Sequence, residues 1–232
     1  MVSPMCGRMT LTTDKDDIQS RWGFIDPSGV LDLIKPRFNI SPSQNSPTVI
    51  VNQDNRELKM MRWGLIPFWA KDMSIGYKMI NAKSETLNEK PSFRKSFKDK
   101  RCLVLADGFY EWKKPDKKTK IPLRFVLKSR EPFAFAGLWD QWKNPDGEIL
   151  LSFTIITTHA NELMAPIHDR MPVVLHEKDE SKWIDPEFKD TERLKSLLQP
   201  YPSDKMEAYE VSTIVNSPKN DSPKCIEPVG SM

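Results

Sequence analysis

Proline content constrains this chain more than any other feature, since 19 prolines accompany only 9 glycines among its 232 residues. Proline fixes its own φ and lacks an N–H donor, so it interrupts helix interiors and central strands. The sequence therefore favours many short elements with stiff connections over long helices. Its length suits one domain with a sizeable core.

Hydrophobic periodicity and turn residues predict a few short helices and a larger number of strands. The predicted helices are 14–22, 91–100, 177–184 and 190–198. The predicted strands are 48–52, 57–63, 101–106, 109–113, 122–128, 133–139, 148–157, 171–175 and 210–213. This pattern indicates an α+β protein whose main element is an antiparallel sheet with helices around it.

Charge and hydropathy exclude several classes of protein. No apolar stretch approaches the roughly 18 residues that span a bilayer, and the start of the chain lacks the apolar core of a signal peptide. We expect a cytoplasmic protein without a membrane partner.

The net charge is only +3, yet basic residues cluster at 93–101 and 113–120. Such patches fit a polyanion, and solvated turns and helix faces are the alternative.

The three cysteines are widely spaced, and no Cys-x-x-Cys or Cys/His pair predicts a zinc site. We expect no metal, no cofactor and, in a reducing compartment, no disulfide. Cys102 lies in an apolar run and is predicted to be a core residue, as is Cys225. Cys6 differs, because Gly7 and Arg8 follow it, and an arginine suits a phosphate.

A carboxylate between aromatic side chains marks the segment 108–112. Glu111 lies between Tyr110 and Trp112, and strand alternation would place it on the same face as Phe109. Carboxylates among aromatic rings tend toward a raised pKa, which suits a general acid or base. An exposed strand glutamate is the alternative.

Two more polar segments are candidates for chemistry. His168 lies in a proline-bounded loop beside Asp169 and Arg170, a setting in which functional residues concentrate; a surface histidine is the alternative. Asn81 opens the polar run 81–86, and a helix cap within that run does not explain it.

Two tryptophans flank a proline in the segment 63–69. Trp63 is predicted to pack in the core. Trp69 lies beside the polar Lys71 and Asp72, so it offers a stacking face for a nucleic-acid base.

Six stretches in this order together resemble the SOS response-associated peptidase family, also called SRAP. They are MCGR, RWGLIP, NAKSET, GFYEW, APIHDRMPV and VSTIVNSPKNDSPKCIEPV, and they cover the chain from Met5 to Val229. We therefore predict a single α+β domain over 6–229. Its core would be a strongly twisted, largely antiparallel, barrel-like sheet with short peripheral helices.

The resemblance implies a protein that recognises abasic sites in single-stranded DNA and bonds to them covalently. By similarity Cys6 is the nucleophile, N-terminal once the preceding residues are removed. Asn81, Glu111 and His168 match the family's other active-site positions. We expect a monomer in the cytoplasm, associated with the nucleoid when it is bound to DNA.

The resemblance also implies a DNA-contact region, which Arg8, Lys83 and Ser84 match, and we add Trp69 as a stacking residue. Lys83 replaces the family's usual arginine after Asn-Ala. A lysine keeps a phosphate contact but lacks the bidentate geometry of arginine.

An N-terminal cysteine suits this chemistry because it carries an amine and a thiol on adjacent carbons. The amine attacks the aldehyde of a ring-opened abasic site to give a Schiff base, and the thiol then closes a thiazolidine ring. The reference pKa of an α-amine is about 7.7–8.0, so a fair fraction is neutral at physiological pH. Glu111 would act as general acid and base on the amine and the carbinolamine. His168 would assist sugar opening or hold the sugar oxygen, and Asn81 would orient the amine or the open sugar.

The start of the chain bears on this chemistry, since an amide-blocked Cys6 cannot form a Schiff base. Residues 1–5 are interpreted as a propeptide or as the product of a misassigned start at Met1 rather than Met5.

Two other functions stay open. One is a cysteine-dependent peptidase acting mainly in autoproteolysis before Cys6, and the other is a non-covalent single-stranded DNA binder.

Overall fold

A computed structural model describes residues 7–116 and 118–230 of the chain. Within these residues the helices are short, and the longest α-helix has 9 residues. The α-helices are α1 (Lys15–Trp22), α2 (Pro91–Asp99), α3 (Glu177–Ile184) and α4 (Thr191–Ser196). The strands are β1 (Met9–Leu11), β2 (Arg37–Ile40), β3 (Asn45–Asn52), β4 (Asn55–Trp63), β5 (Asn81–Lys83), β6 (Arg101–Ala106), β7 (Gly108–Lys113), β8 (Ile121–Leu127), β9 (Phe133–Lys143), β10 (Ile149–His159), β11 (Arg170–Pro172) and β12 (Met206–Glu210).

Five strands close into a barrel. β3 pairs with β4 and β6, β6 pairs with β9, and β9 pairs with β10, all antiparallel. The ring closes where β10 runs parallel to β4, with Ser152 opposite Arg62. The barrel is therefore mixed but largely antiparallel, which confirms the predicted α+β, barrel-like core.

A second, antiparallel sheet in the order β12-β8-β7-β1-β2 packs against the barrel. Aromatic rings join the two sheets. Phe109 of β7 stacks on Phe125 of β8 at 5.1 Å between ring centroids and meets Phe135 of the barrel edge-on at 5.8 Å. Aromatic pairs of this geometry add to the free energy of burial. This packing fixes β7, the strand that carries Glu111, relative to the barrel.

The structure refines several local predictions. The hairpin of β3 and β4 turns at Gln53 and Asp54, whose φ angles are 46° and 65°, so its loop has two residues rather than the predicted four. The late strand predicted over 210–213 is wrong. The strand is β12, and Ser212 then caps a 3₁₀ turn over Thr213–Asn216, which ends the extended conformation.

The short strands β1, β2 and β5 were absent from the predictions, because three or four residues carry too little periodicity to identify a strand. The core predictions for three residues are confirmed. Cys102, Cys225 and Trp63 are buried, and Trp63 stacks on Phe153 at 6.2 Å between ring centroids.

A buried carboxylate at the corner between β6 and β7 holds the N-terminal strand. Asp107 accepts hydrogen bonds from the Thr10 hydroxyl at 2.5 Å, the Thr12 hydroxyl at 2.7 Å and the Thr13 amide at 2.9 Å, and also from the Thr12 amide. Arg124 Nη2 completes the set at 3.1 Å. This network holds β1 and the two threonines that follow it against the corner between β6 and β7.

We predict that Asp107→Ala lowers the free energy of unfolding by at least about 3 kcal/mol, because it leaves the buried Arg124 guanidinium without its counterion. Urea denaturation followed by circular dichroism measures the change. Asp146→Ala, at an exposed turn position, serves as the control and should stay within about 0.5 kcal/mol. Equal stability of the two variants would contradict the role assigned to Asp107.

Candidate active site

An open cleft of about 370 Å³ lies beside the end of β7 and the start of the described chain. It brings together two of the predicted catalytic residues with one predicted DNA contact. Cys6 itself lies outside the described residues, but Gly7, to which it is bonded, is part of the cleft wall. The lining residues are Gly7, Arg8, Glu111, Trp112, Lys114, Lys120, Ile167, His168 and Asn216.

The Arg8 side chain is buried beneath the cleft. Its Nη1 donates to Asn39 Oδ1 and to the Val215 carbonyl, both at 2.6 Å, and its guanidinium lies 5.6 Å from the Trp112 ring centroid. Burial lowers the pKa of Arg8 below its ordinary value. These contacts hold the backbone next to Cys6, and a phosphate contact of Arg8 stays a prediction.

Asn39 is a structural centre that sequence analysis missed. The side chain is fully buried, and its Nδ2 donates to the carbonyls of Val215 at 3.2 Å, Ser217 at 3.0 Å and Asn220 at 2.6 Å. It thereby ties β2 to the C-terminal segment that closes one side of the cleft. No local pattern signals this role, since every one of these partners lies more than 170 positions away in the sequence.

Glu111 is only 6% exposed, so the alternative of an exposed strand glutamate is wrong. The predicted alternation holds along β7. Phe109 packs in the main core, whereas Tyr110 and Trp112 pack with a smaller cluster around Val215 on the other face. The raised pKa expected for Glu111 stays a prediction.

The His168 side chain is partly buried, at 16% exposed, where it lines the cleft. Burial lowers the pKa of His168; nearby Asp169 opposes the shift, and the charges of Lys114 and Arg170 add to it. His168 Nδ1 lies 3.1 Å from the Arg170 amide nitrogen and 2.8 Å from the Asp169 carboxylate. Without a proton, Nδ1 accepts from the amide; with one, it donates to the carboxylate.

Asn81 does not line the cleft, but its segment is tied to the His168 loop. Strand β5 lies parallel to β10 on one side, and β11 lies antiparallel on the other. Arg170 reaches across β10 to form a bidentate pair with Glu85 at 2.7 and 2.9 Å, and its Nη2 also donates to the Thr157 carbonyl at 2.7 Å. Burial alone would raise the pKa of Glu85, but the hydrogen bonds from Arg170 and from its own backbone, with the charges of Arg170 and His159, together lower it.

The match to a protein-family model shows which family this chain belongs to. The model of the SOS response associated peptidases, SRAP, matches residues 5–218. The chain belongs to the SRAP family.

Relatives of this SRAP chain extend over nearly its whole length. The abasic site processing protein YoqW of Bacillus subtilis is 56% identical over 96% of this chain and 99% of its own. The abasic site processing protein HMCES of Xenopus tropicalis is 34% identical over 96% of this chain and 78% of its own. A crystal structure of a protein from Bacteroides thetaiotaomicron superposes with a TM-score of 0.86 at 30% identity, covering 96% of this chain and 99% of that one.

The other residues predicted to bind DNA are spread over the surface of the SRAP domain. Lys83 is exposed at the end of β5, whereas Ser84 is buried. Trp69 and its neighbour Phe68 are both about half exposed, at 49% and 53%. Lys95 Nζ lies over one face of the Phe68 ring, 4.5 Å from its centroid. The exposed part of Trp69 is accessible to a base, and the DNA contacts of Lys83, Ser84 and Trp69 stay predictions.

The cleft lining includes two lysines and one asparagine that the sequence analysis did not single out as site residues. Lys114 and Lys120 belong to the basic patch predicted at 113–120, but composition alone does not tell which of its lysines enter a cleft. Asn216 lies within the last of the family-like stretches, and its Oδ1 accepts from Trp112 Nε1 at 2.6 Å.

The structure also bears on metals and membranes. Within 7–116 and 118–230, no three His, Cys, Asp or Glu side chains come together to hold a metal ion. None of the helices in these ranges is long and apolar enough to cross a membrane.

We predict that Lys114→Gln raises the pKa of His168, because removal of the ammonium charge makes the imidazolium form less unfavourable. The titration of the His168 ring resonances by NMR measures this change. Lys118→Gln, in the same loop but outside the cleft lining, is the matched control. A His168 midpoint that moves equally in both variants would contradict a specific effect of Lys114.

Proposed function

We propose that the protein recognises abasic sites in single-stranded DNA and bonds to them covalently through Cys6, after the residues before Cys6 are removed. One observation carries the proposal: a single cleft holds Glu111 and His168 beside Gly7, the residue bonded to Cys6. The names of two close relatives, which are abasic site processing proteins, support the choice of substrate.

The reaction joins the open-chain aldehyde of the abasic sugar to both groups of an N-terminal cysteine. The neutral amine adds to the aldehyde carbon, and the carbinolamine loses one water to give the Schiff base. The thiol then adds to the imine carbon and its proton goes to the nitrogen, which closes the thiazolidine. The net change is the release of one water and no redox partner is needed.

Glu111 and His168 divide the proton transfers of this scheme. A buried carboxylate such as Glu111 suits the step in which the carbinolamine oxygen is protonated and leaves as water. His168 has a lowered pKa, so at neutral pH it presents a neutral ring. In the tautomer whose Nδ1 accepts from the Arg170 amide, Nε2–H donates to the sugar oxygen as the ring opens.

A cut before Cys6 is part of this proposal, since the Met5–Cys6 amide would block the amine. The family's description as a peptidase favours a cut made by the protein itself. In that reaction the Cys6 thiolate adds to the Met5 carbonyl carbon, and the C–N bond breaks as the Cys6 nitrogen takes up a proton. Water then hydrolyses the resulting thioester, which releases the Met5 carboxylate and restores the Cys6 thiol. Intact mass spectrometry tests this: the wild-type chain should lose residues 1–5, and a Cys6→Ala chain that loses them equally would point to another protease.

We predict that Cys6→Ala, produced with translation from Met5, forms no heat-stable adduct with an abasic single-stranded oligonucleotide. This variant retains an α-amine, so borohydride should still trap its Schiff base, because only the thiazolidine requires the thiol. Denaturing gels and intact mass measure both products. A heat-stable adduct that forms without reduction, in wild-type yield, would remove the Cys6 thiol from the mechanism.

We predict that Glu111→Gln slows formation of the adduct by at least about 100-fold, the usual contribution of a general acid or base. Single-turnover kinetics on denaturing gels give the rate constant. Glu89→Gln, at an exposed position outside the cleft lining, is the matched control and should react at the wild-type rate. Unchanged kinetics for the folded Glu111→Gln protein would make Glu111 purely structural.

A further inference from the structure

The loop between β7 and β8 carries a lysine at each of its ends. The last register pair of the hairpin joins Lys113 to Ile121, so Lys114 and Lys120 are the next residues on either side. Both line the cleft that contains Glu111 and His168. Among the ion pairs formed by the described residues, neither lysine has a carboxylate partner.

Both lysines are exposed, so an anion that enters the cleft meets a positive charge from each end of the loop. The acidic residue of the loop is engaged elsewhere. Asp116 accepts from the amides of Lys118 at 2.7 Å and Thr119 at 2.8 Å and from the Thr119 hydroxyl at 2.8 Å. Its oxygens shape the loop, and the two ammonium groups are left at the cleft.

A third donor lies on the same cleft wall. Asn216 Oδ1 accepts from Trp112 Nε1 at 2.6 Å, which orients the amide and leaves its NH₂ group as the donor for a ligand. The charge of Lys114 also reaches the interior, since it helps to lower the pKa of His168. Two cations and one neutral donor therefore surround the rim of a cleft whose carboxylate, Glu111, is buried.

We propose that Lys114 and Lys120, with the Asn216 amide, bind the phosphodiester adjacent to the abasic sugar. The inference rests on the proposed function and names one subsite of it. Lysine binds phosphate oxygens as a point charge, so one lysine serves each non-bridging oxygen. The anion stays at the rim, away from Glu111. The subsite excludes Lys113 and Lys118, which belong to the same basic patch but do not line the cleft.

Binding without covalent chemistry tests this subsite. The probe is a single-stranded oligonucleotide with a tetrahydrofuran analogue at the abasic position, which has no aldehyde and cannot form the adduct. Fluorescence anisotropy gives Kd for the full chain. Lys114→Gln with Lys120→Gln should raise Kd at least about tenfold, the size of one lost charge-assisted contact. The slope of log K against log salt should fall by about 0.7, as expected for one phosphate.

A neutral methylphosphonate identifies the phosphate. It is placed on the 5′ or the 3′ side of the analogue, in two separate oligonucleotides. Only one of the two should bind wild-type protein more weakly. The Kd of the double variant should not change with that oligonucleotide, since the same contact is already lost. Additive losses on both sides would overturn the proposal. Lys113→Gln with Lys118→Gln removes the same charge from the same hairpin. An equal loss of binding in this control would show a general electrostatic effect and would also overturn the proposal.

Further measurements distinguish loss of the phosphate contact from unfolding of the variants and from failure of the proposed function. Thermal melts show whether each double variant is folded, and Lys114→Arg with Lys120→Arg, which retains both charges, should restore binding. Wild-type protein is also incubated with a natural abasic oligonucleotide. No adduct in that reaction would refute the proposed function, whereas the anisotropy series would still decide whether the lysine pair binds phosphate.

Discussion

The hydrogen bonds of Asp107 hold the strand on which the whole cleft depends. A buried carboxylate is tolerated only when its oxygens are satisfied, and here the donors come from Thr10, Thr12, Thr13 and Arg124. The desolvation cost of the charge is thus offset only when β1 docks. Residues near a chain terminus usually fray unless they are tied down, and this network anchors the segment that leads back to Gly7.

The cleft is assembled on that anchor from parts of the chain that are distant in sequence. Arg8 links the N-terminal strand to Asn39 and to the carbonyl of Val215, while the ring packing of Phe109 fixes β7 and hence Glu111. Polar networks in the interior are stable only when nearly every member is satisfied. Loss of one member would therefore disturb several walls of the cleft together.

The electrostatics of the cleft fit the proposed chemistry. His168 is held neutral by burial and by nearby cations, which keeps it available for proton transfer near physiological pH. Lys114 and Lys120 supply positive charge at the rim, where a DNA backbone would pass. A neutral amine attacking an aldehyde needs no strong base, so a site with one buried carboxylate and one neutral histidine suffices for the proton transfers.

The sequence by itself determined most of the local structure: the helix α1, the hairpin of β3 and β4, the run of strands from β6 to β10, and the burial of Cys102. These follow from periodicity and turn residues, which act over a few positions, and the motifs also identified Glu111 and His168 as candidates. Only the tertiary structure decided the parallel contact that closes the barrel, the buried setting of Arg8 and the selection of two lysines from a basic patch. Each of these depends on pairings between distant segments, whose free energy comes from packing and desolvation and leaves no local pattern in the sequence.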